Sequence, residues 1–316
     1  MIKLIIDGDP IVYRSGFAAE QTEIDIVYET EDGDLGQFKF TRTPTETALK
    51  RYKAWQEANP GHQLIEEVKS RKAEPVANCL QIVRNTVRSI IDETECKWPG
   101  ETVVPHTVLS GPGNFRLDIA KQKPYKGNRD PSHMPVHYGA IRNYLIDTWG
   151  AQVVHNREAD DEVSIRGWSG YRRKDLTVIA TIDKDLDQVA GWHYDYMKKV
   201  FYEVSYTDAC KAFWRQVLSG DPGDNVPGCW RMGVDRAQRI VDDQFAAGAT
   251  EEDLWEAVLA EYDHSRVKIG CPYADVTNVE DIALETAQLV YMQQAPGELW
   301  MPPGTPFGRV KGDLDD

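Results

Sequence analysis

The sequence predicts an α/β fold in which a parallel central sheet is flanked by helices and followed by a second, helical region. Three observations carry this. Apolar runs at residues 2–6, 107–109 and 178–182 have strand length and little alternation, as strands buried on both faces do. Stretches of helical periodicity separate them. Each run stops at acids or glycines, the kind of strand end where open α/β sheets place ligands.

Taken in order, residues 2–6 stop at Asp7-Gly8-Asp9-Pro10 and residues 11–19 read as a helix. Residues 24–29 and 37–41 alternate around Glu31-Asp32-Gly33-Asp34, which predicts a β-hairpin, either a flap beside a site or an insertion. Residues 45–57 form an amphipathic helix that Asn59-Pro60-Gly61 breaks. Over 76–94, Leu80, Val83, Val87, Ile90 and Ile91 have the spacing of a core-facing helix. The strand at 107–109 ends in Ser110-Gly111-Pro112-Gly113, residues 135–149 are helical, and 151–155 form a short strand. Residues 193–197 and 200–204 read as a second hairpin or edge strands, 207–218, 234–246, 251–262 and 279–293 as helices, and 308–316 as a disordered tail. The expected division is a sheet-containing core over 1–206, a helical region over 207–307, and the tail.

Composition narrows the function classes. No run approaches the roughly 18 apolar residues of a membrane span, and the first residues read as a strand rather than a signal peptide. Five scattered cysteines without a Cys-x-x-Cys pair fit reduced thiols in a cytoplasm. A net charge of −15 argues on its face against nucleic acid. Local distribution matters more than the sum, however, and a cation bound at an acid cluster reverses the field there.

The acids are strongly clustered. Glu158-Ala159-Asp160-Asp161 opens a helix after one strand, and Asp183-Lys184-Asp185 follows the next. Glu158 and Asp161 are three apart on one helix face with Asp160 beside them, and like charges so close destabilise unless something positive lies between them. A divalent cation meets that need, and ligands that are all oxygen favour Mg²⁺ or Mn²⁺ over zinc. Asp7 and the turn acids Asp221 and Asp224 extend the set. Helix capping and turn hydrogen bonds account equally for any one of these groups taken alone.

Positive charge concentrates in one place. Arg116, Lys121, Lys123, Lys126 and Arg129 are interleaved with Phe115 and Tyr125 and punctuated by Pro124 and Gly127. A mobile segment of this kind suits a phosphate backbone and an unstacked base, while a solvated loop is the plain alternative. Further on, residues 228–233 join the acid turn to a helix that carries Arg236 and Arg239, with Arg231 just before it. A glycine-bounded hairpin at a helix N-terminus presents backbone N–H groups to phosphate.

In sequence order, Asp7-Gly8, Tyr125-Lys126-Gly127-Asn128-Arg129, Glu158-Ala159-Asp160-Asp161, Asp183-Lys184-Asp185 and Gly220-Asp221-x-x-Asp224-Asn225-x-Pro227-Gly228 resemble the motif series of the 5′ nuclease family. That family includes flap endonucleases, polymerase-associated 5′ nucleases and bacteriophage 5′→3′ exonucleases, and the short spacing looks most like the stand-alone phage enzymes. The resemblance implies a PIN-like core and a helix-three-turn-helix (helix-hairpin-helix-type) DNA-binding region, with residues 111–134 as a basic arch. It implies metal-dependent 5′→3′ hydrolysis of duplex or branched DNA in phage replication, with RNA–DNA hybrids as a further substrate, by a monomer in the host cytoplasm. Asp7, Glu158, Asp160, Asp161, Asp183, Asp185, Asp221 and Asp224 would hold two Mg²⁺ or Mn²⁺ ions. Lys126 and Arg129 would act on the scissile phosphate. Arg116, Lys121, Lys123, Tyr125, Gly228, Arg231, Gly233, Arg236 and Arg239 would contact DNA, with K⁺ at the hairpin.

Two departures stand out. Relatives carry another acid where this chain has Ser110-Gly111-Pro112, a gap that Asp9 or Asp118 could fill, and the hairpin at 228–233 is longer than usual. Two rival readings remain open on sequence. Asp7-Gly8-Asp9, Ser110 and Gly220-Asp221-x-x-Asp224 also resemble a haloacid-dehalogenase-type phosphatase, although that leaves the Glu158 cluster and the Tyr125 motif unused. The other is a non-catalytic binder of DNA forks on the same fold.

Overall fold

The computed structural model describes residues 1–42, 45–130 and 134–304. The chain opens with β1 (Ile2–Asp7), α1 (Asp9–Ala18), β2 (Glu20–Glu29), β3 (Leu35–Arg42), α2 (Thr45–Ala58), β4 (Gln63–Ala73) and α3 (Val76–Lys97). Then come β5 (Val103–Ser110), α4 (Arg116–Ile119), α5 (Tyr138–Trp149), β6 (Gln152–Val154), α6 (Ala159–Arg172), β7 (Thr177–Ala180), β8 (Gly191–Asp195) and β9 (Val200–Val204). The remainder is α7 (Tyr206–Ser219), the short pair β10 (Gly220–Asp221) and β11 (Val226–Pro227), α8 (Val234–Ala246), α9 (Glu251–Arg266) and α10 (Val279–Val290). These elements form two compact units, one of residues 1–7, 98–131 and 152–316, the other of 8–97 and 132–151.

The first unit holds a six-stranded sheet in the order β6-β5-β1-β7-β8-β9. Every neighbouring pair is parallel except β8 and β9, which close one edge as an antiparallel hairpin. β7 is buried along its whole length and β1 nearly so, which is why neither shows polar alternation. From β1 the chain builds outward through β5 to β6, then returns to place β7 on the other side of β1. That reversal makes the C-terminal ends of β1 and β7 a topological switch point, the expected position of a ligand site. Against the sheet, α6 buries Ala159, Val163 and Trp168 with Ile5, Val108 and Ile179. Each of the buried valines and isoleucines contributes about 1.5–3 kcal/mol, enough to hold the helix and its acidic first turn in place.

The helices after the sheet have their own core, with Val217, Leu218, Trp255, Tyr262, Leu289 and Trp300 buried together. They do not form a separate compact body. Gln188, just before the sheet edge, donates its amide to the carbonyl of Val290 at 2.8 Å and accepts the N–H of Met292 at 3.2 Å. The division expected after residue 206 therefore falls inside one compact unit, because the end of α10 is bonded back to the sheet-containing core.

In the second unit the expected hairpin is β2 with β3, widened by β4 into a three-stranded antiparallel sheet. Sequence periodicity did not point to β4, because most of its side chains are exposed and its two faces do not differ in polarity. Ile24, Ile26, Phe40 and Tyr52 form a small core on this sheet. On α3, Val83, Val87, Ile90 and Ile91 are buried at the predicted spacing. The helix expected from residue 135 begins at Tyr138, and the expected tail at 308–316 lies outside the described residues.

Candidate active site

The acids expected to act together lie in the first unit, on strand ends and loops that a chain of contacts joins. Asp7, the last residue of β1, is 3% exposed and accepts the hydroxyl of Thr181 at 3.0 Å. The same hydroxyl accepts the N–H of Asp183 at 3.0 Å, so one threonine after β7 ties the ends of the two central strands together. Asp183 in turn accepts the N–H of Asp185 at 3.0 Å and caps a 3-10 turn. Asp185 also accepts the amide of Gln216 from α7.

A second group surrounds the start of α6. Ser110 ends β5, and its hydroxyl accepts the N–H of Ala159 at 2.8 Å, which fixes the first turn of that helix. The phenolic oxygen of Tyr125 lies 2.6 Å from a carboxylate oxygen of Glu158 and 2.6 Å from one of Asp224. Lys126 donates to Glu158 and stands 3.4 Å from Asp224, and Arg129 donates to Asp224.

Backbone contacts lock the two loops involved. Lys126 N–H donates to the carbonyl of Asp224 at 2.8 Å, Asn128 to that of Pro222 at 2.9 Å, and Asn225 to that of Pro124 at 2.9 Å. Lys126 and Asn225 adopt left-handed backbone angles, φ 55° and 60°, to make these bonds. A side chain on Gly127 would press on the carbonyl of Pro124 at 2.9 Å, so glycine is needed at the crossing.

Electrostatics mark the acids as mutually unfavourable. Burial, then Asp183 and Asp221, push Asp185 up to about 7. Burial and Asp224 raise Asp221 in the same way. Asp160 is raised well above the carboxylate range by burial and by Glu158 and Asp161. Glu158 is the exception: despite burial, Lys126 and Arg116 hold it below its usual value. Among the described residues no three acids stand in the geometry of a bound ion. The donor set fits a hard divalent cation all the same, since it is all oxygen and holds carboxyls that compress one another for want of positive charge. Asp7, Glu158, Asp160, Asp183, Asp185, Asp221 and Asp224 are the residues that could hold it.

Several expectations are corrected. Asp161 is fully buried and bound by both terminal nitrogens of Arg116, at 2.6 and 2.8 Å, so its carboxylate is taken up by an ion pair. Arg116 is 1% exposed and donates further to the carbonyls of Leu289 and Tyr291, each at 2.8 Å, which removes it from any DNA surface. Tyr125 is 7% exposed with its hydroxyl between two carboxylates, so it presents no face to a base. Residues 111–130 are accordingly pinned at Arg116, Tyr125 and Lys126 rather than free as an arch, while 131–133 lie outside the described residues. Gly228 packs backbone to backbone, where a Cβ would lie 2.3 Å from the nitrogen of Gly220. Asp9 pairs within the second unit with Arg142 at 3.5 Å.

The remaining candidates are open to solvent. Lys121, Lys123, Arg231, Gly233 and Arg239 are exposed, and Arg236 is paired with Glu261 at 2.8 Å on α9. Sequence reasoning missed Thr181, Gln216 and the capping role of Ser110. A Thr two residues before a strand-end aspartate is a signature for the first, because its hydroxyl can accept that backbone N–H. Gln216 carried no such signal.

No protein-family model matches the chain, and no curated protein sequence does either. Solved structures do resemble it. Bacteriophage T5 flap endonuclease, in a pseudo-enzyme–product complex with DNA and metal ions, superposes with a TM-score of 0.51 at 13% identity, covering 92% of this chain and 89% of that one. Bacteriophage T5 5′-exonuclease with bound zinc ions gives 0.50 at 16% identity over the same shares. At such identity the likeness establishes the fold: a mixed α/β chain with the PIN-like architecture expected from the motif series.

Proposed function

We propose that the chain is a metal-dependent 5′ nuclease that hydrolyses phosphodiester bonds of duplex or branched DNA. The observation that carries this reading is the Tyr125 hydroxyl, 2.6 Å from both Glu158 and Asp224. It joins the acids of α6 to those of the turn after α7, more than sixty residues away, and Thr181 does the same for β1 and β7. Acids gathered from four parts of a sequence around the C-terminal ends of the central strands, at the cost of their own repulsion, fit cation binding better than structure.

Bound by these carboxylates, two Mg²⁺ or Mn²⁺ ions would supply an activated water and neutralise the departing 3′ oxygen. The protein's own part is charge and position. Lys126 and Arg129 pair with the acids in the free chain, and in this reading each would exchange a carboxylate for a substrate phosphate once cations satisfy Glu158 and Asp224. The helices from residue 207 to 307, with the hairpin at 228–233 and the arginines at 231, 236 and 239, would grip the duplex through its phosphates. In this reading K⁺ at the hairpin, RNA–DNA hybrids and a role in phage replication follow from the family resemblance, as does the monomeric state. Among the described residues no helix is long and apolar enough to cross a membrane.

The test is release of labelled nucleotides from a 5′-labelled duplex with Mg²⁺ and with EDTA, run beside an aryl phosphate. Cleavage of DNA alone, and only with the metal, supports the nuclease. Turnover of the aryl phosphate without DNA cleavage would replace it with a phosphatase.

A further inference from the structure

The last turn of α10 and the residues after it are bonded to both groups of acids. A helix leaves its final carbonyls without partners inside the helix, so other groups must meet them. Here Arg116 takes those of Leu289 and Tyr291, each at 2.8 Å, and the N–H of Gln293 lies 3.4 Å from Asp161. The residues between face the other way. Val290 offers its carbonyl and Met292 its N–H to a single side chain, Gln188, at 2.8 and 3.2 Å. Tyr291 has left the helix for extended backbone angles, and residues 289–293 are all buried. One strip of backbone therefore serves the start of α6 with alternate residues and the turn after β7 with the others.

Those two backbone groups decide which way the Gln188 amide points. An N–H can only donate, so the atom facing Met292 is the oxygen and the nitrogen faces Val290. The second hydrogen on that nitrogen goes to the side-chain oxygen of Gln216 on α7. Gln216 must then turn its own nitrogen away from Gln188, and that nitrogen donates to Oδ1 of Asp185. The polarity of the backbone at the end of α10 is thus passed through two amides to a carboxylate of the acid site. Gln188 is 4% exposed, so a break in this chain strands buried amide groups, which is costly.

We propose that Gln216 and Gln188 are positioning residues for a divalent cation at Asp185: in series, the two amides fix the orientation in which that carboxylate meets the ion. The cation itself rests on the nuclease reading above. Groups that orient a metal ligand in this way contribute about 10–100-fold to affinity. Because the same strip holds Asp161 through Arg116, Asp185 and the acidic first turn of α6 are placed from one piece of backbone.

The experiment follows free Mn²⁺ by electron paramagnetic resonance as the full chain is titrated without DNA, with melting in EDTA as the control for folding. Gln216→Met keeps the length of the side chain and removes the donor, and is expected to weaken Mn²⁺ binding by about tenfold. Gln188→Met should weaken it less, because the Gln216 nitrogen then faces Asp185 only part of the time. The double variant should bind no worse than Gln216→Met alone, since the two amides act in series. In cleavage, the Mg²⁺ needed for half-maximal rate should rise while the rate at saturating Mg²⁺ stays within about twofold of wild type, whereas a merely structural loss lowers the saturated rate. Wild-type Mn²⁺ affinity in Gln216→Met overturns the proposal, and so do losses that multiply in the double variant. Should Gln216→Met fail to fold, Gln188→Met decides, and unchanged affinity there overturns it. If wild type binds Mn²⁺ and Gln216→Met binds it less well, yet neither cleaves DNA, the nuclease reading falls and the positioning role stands. Wild type that binds no Mn²⁺ removes the cation from both.

Discussion

Arg116 grips Asp161 with both terminal nitrogens, at 2.6 and 2.8 Å, inside a part of the molecule that leaves neither side chain more than 1% exposed. The same guanidinium reaches the carbonyls of Leu289 and Tyr291, so the acidic first turn of α6 is fastened to the end of α10. Removing one partner of such a pair leaves a buried charge uncompensated and costs about 3–5 kcal/mol. Arg116→Met and Asp161→Leu should therefore each lower stability by that much in urea denaturation. The two changes together should recover most of the loss. If Arg116→Met alone unfolds at the wild-type midpoint, the pair does not hold the helix.

That pair also marks where sequence stops being informative. The positions of β1, β5 and β7 followed from apolar runs, and α8 matches its expected span because Ala237 and Val241 repeat along one buried face. The acids at strand ends were legible because ends of parallel strands have a distinctive composition. Asp161 and Arg116 were not separable from their neighbours, since a ligand and a buried ion pair have the same residue types and differ only in what tertiary packing places against them. Tyr125 was misassigned for the same reason: an aromatic in a basic stretch looks like a base platform until its hydroxyl is seen between Glu158 and Asp224. β4 was lost because its side chains face water on both sides.

Asp160 separates function from stability. Its carboxyl is pushed well above the usual range by burial and by Glu158 and Asp161, so the ionised form strains the free chain. Asp160→Asn should abolish Mg²⁺-dependent cleavage while the metal-free chain melts no earlier than wild type, with DNA binding retained. Asp183→Ala should likewise abolish cleavage and spare binding. Full activity in either variant would end the metal-ligand assignment.

Tyr125 has a single hydroxyl proton and two carboxylate neighbours at 2.6 Å. It can donate to one at a time, while Lys126 supports both. Tyr125→Phe should cost about 1.5–3 kcal/mol, the worth of a hydrogen bond to a charged group, and raise the Mg²⁺ concentration needed for half-maximal cleavage. Calorimetric melting and a metal titration read the two effects. An unchanged metal requirement would mean that the bridge does not position Glu158 and Asp224 for the ion.

Asp185 links metal binding to pH. Burial, Asp183 and Asp221 bring it up to about 7 in the folded chain, whereas an unfolded aspartate titrates near about 3.9. A raised folded value means that the native state holds a proton the unfolded chain releases. This contribution to stability is complete below the unfolded value and disappears as pH rises through about 7. In EDTA the melting temperature should thus fall between about pH 4 and pH 7 and level off above, and Asp185→Asn should flatten the fall, since an amide carries no proton to lose. Asp221 is shifted in the same direction and should leave a residual slope. Mg²⁺ must displace these protons to bind, so its stabilising effect should grow over the same interval. A metal-free melting curve that is level or rising across that interval, or an equal slope in Asp185→Asn, would show that the carboxylates do not crowd one another as the geometry requires.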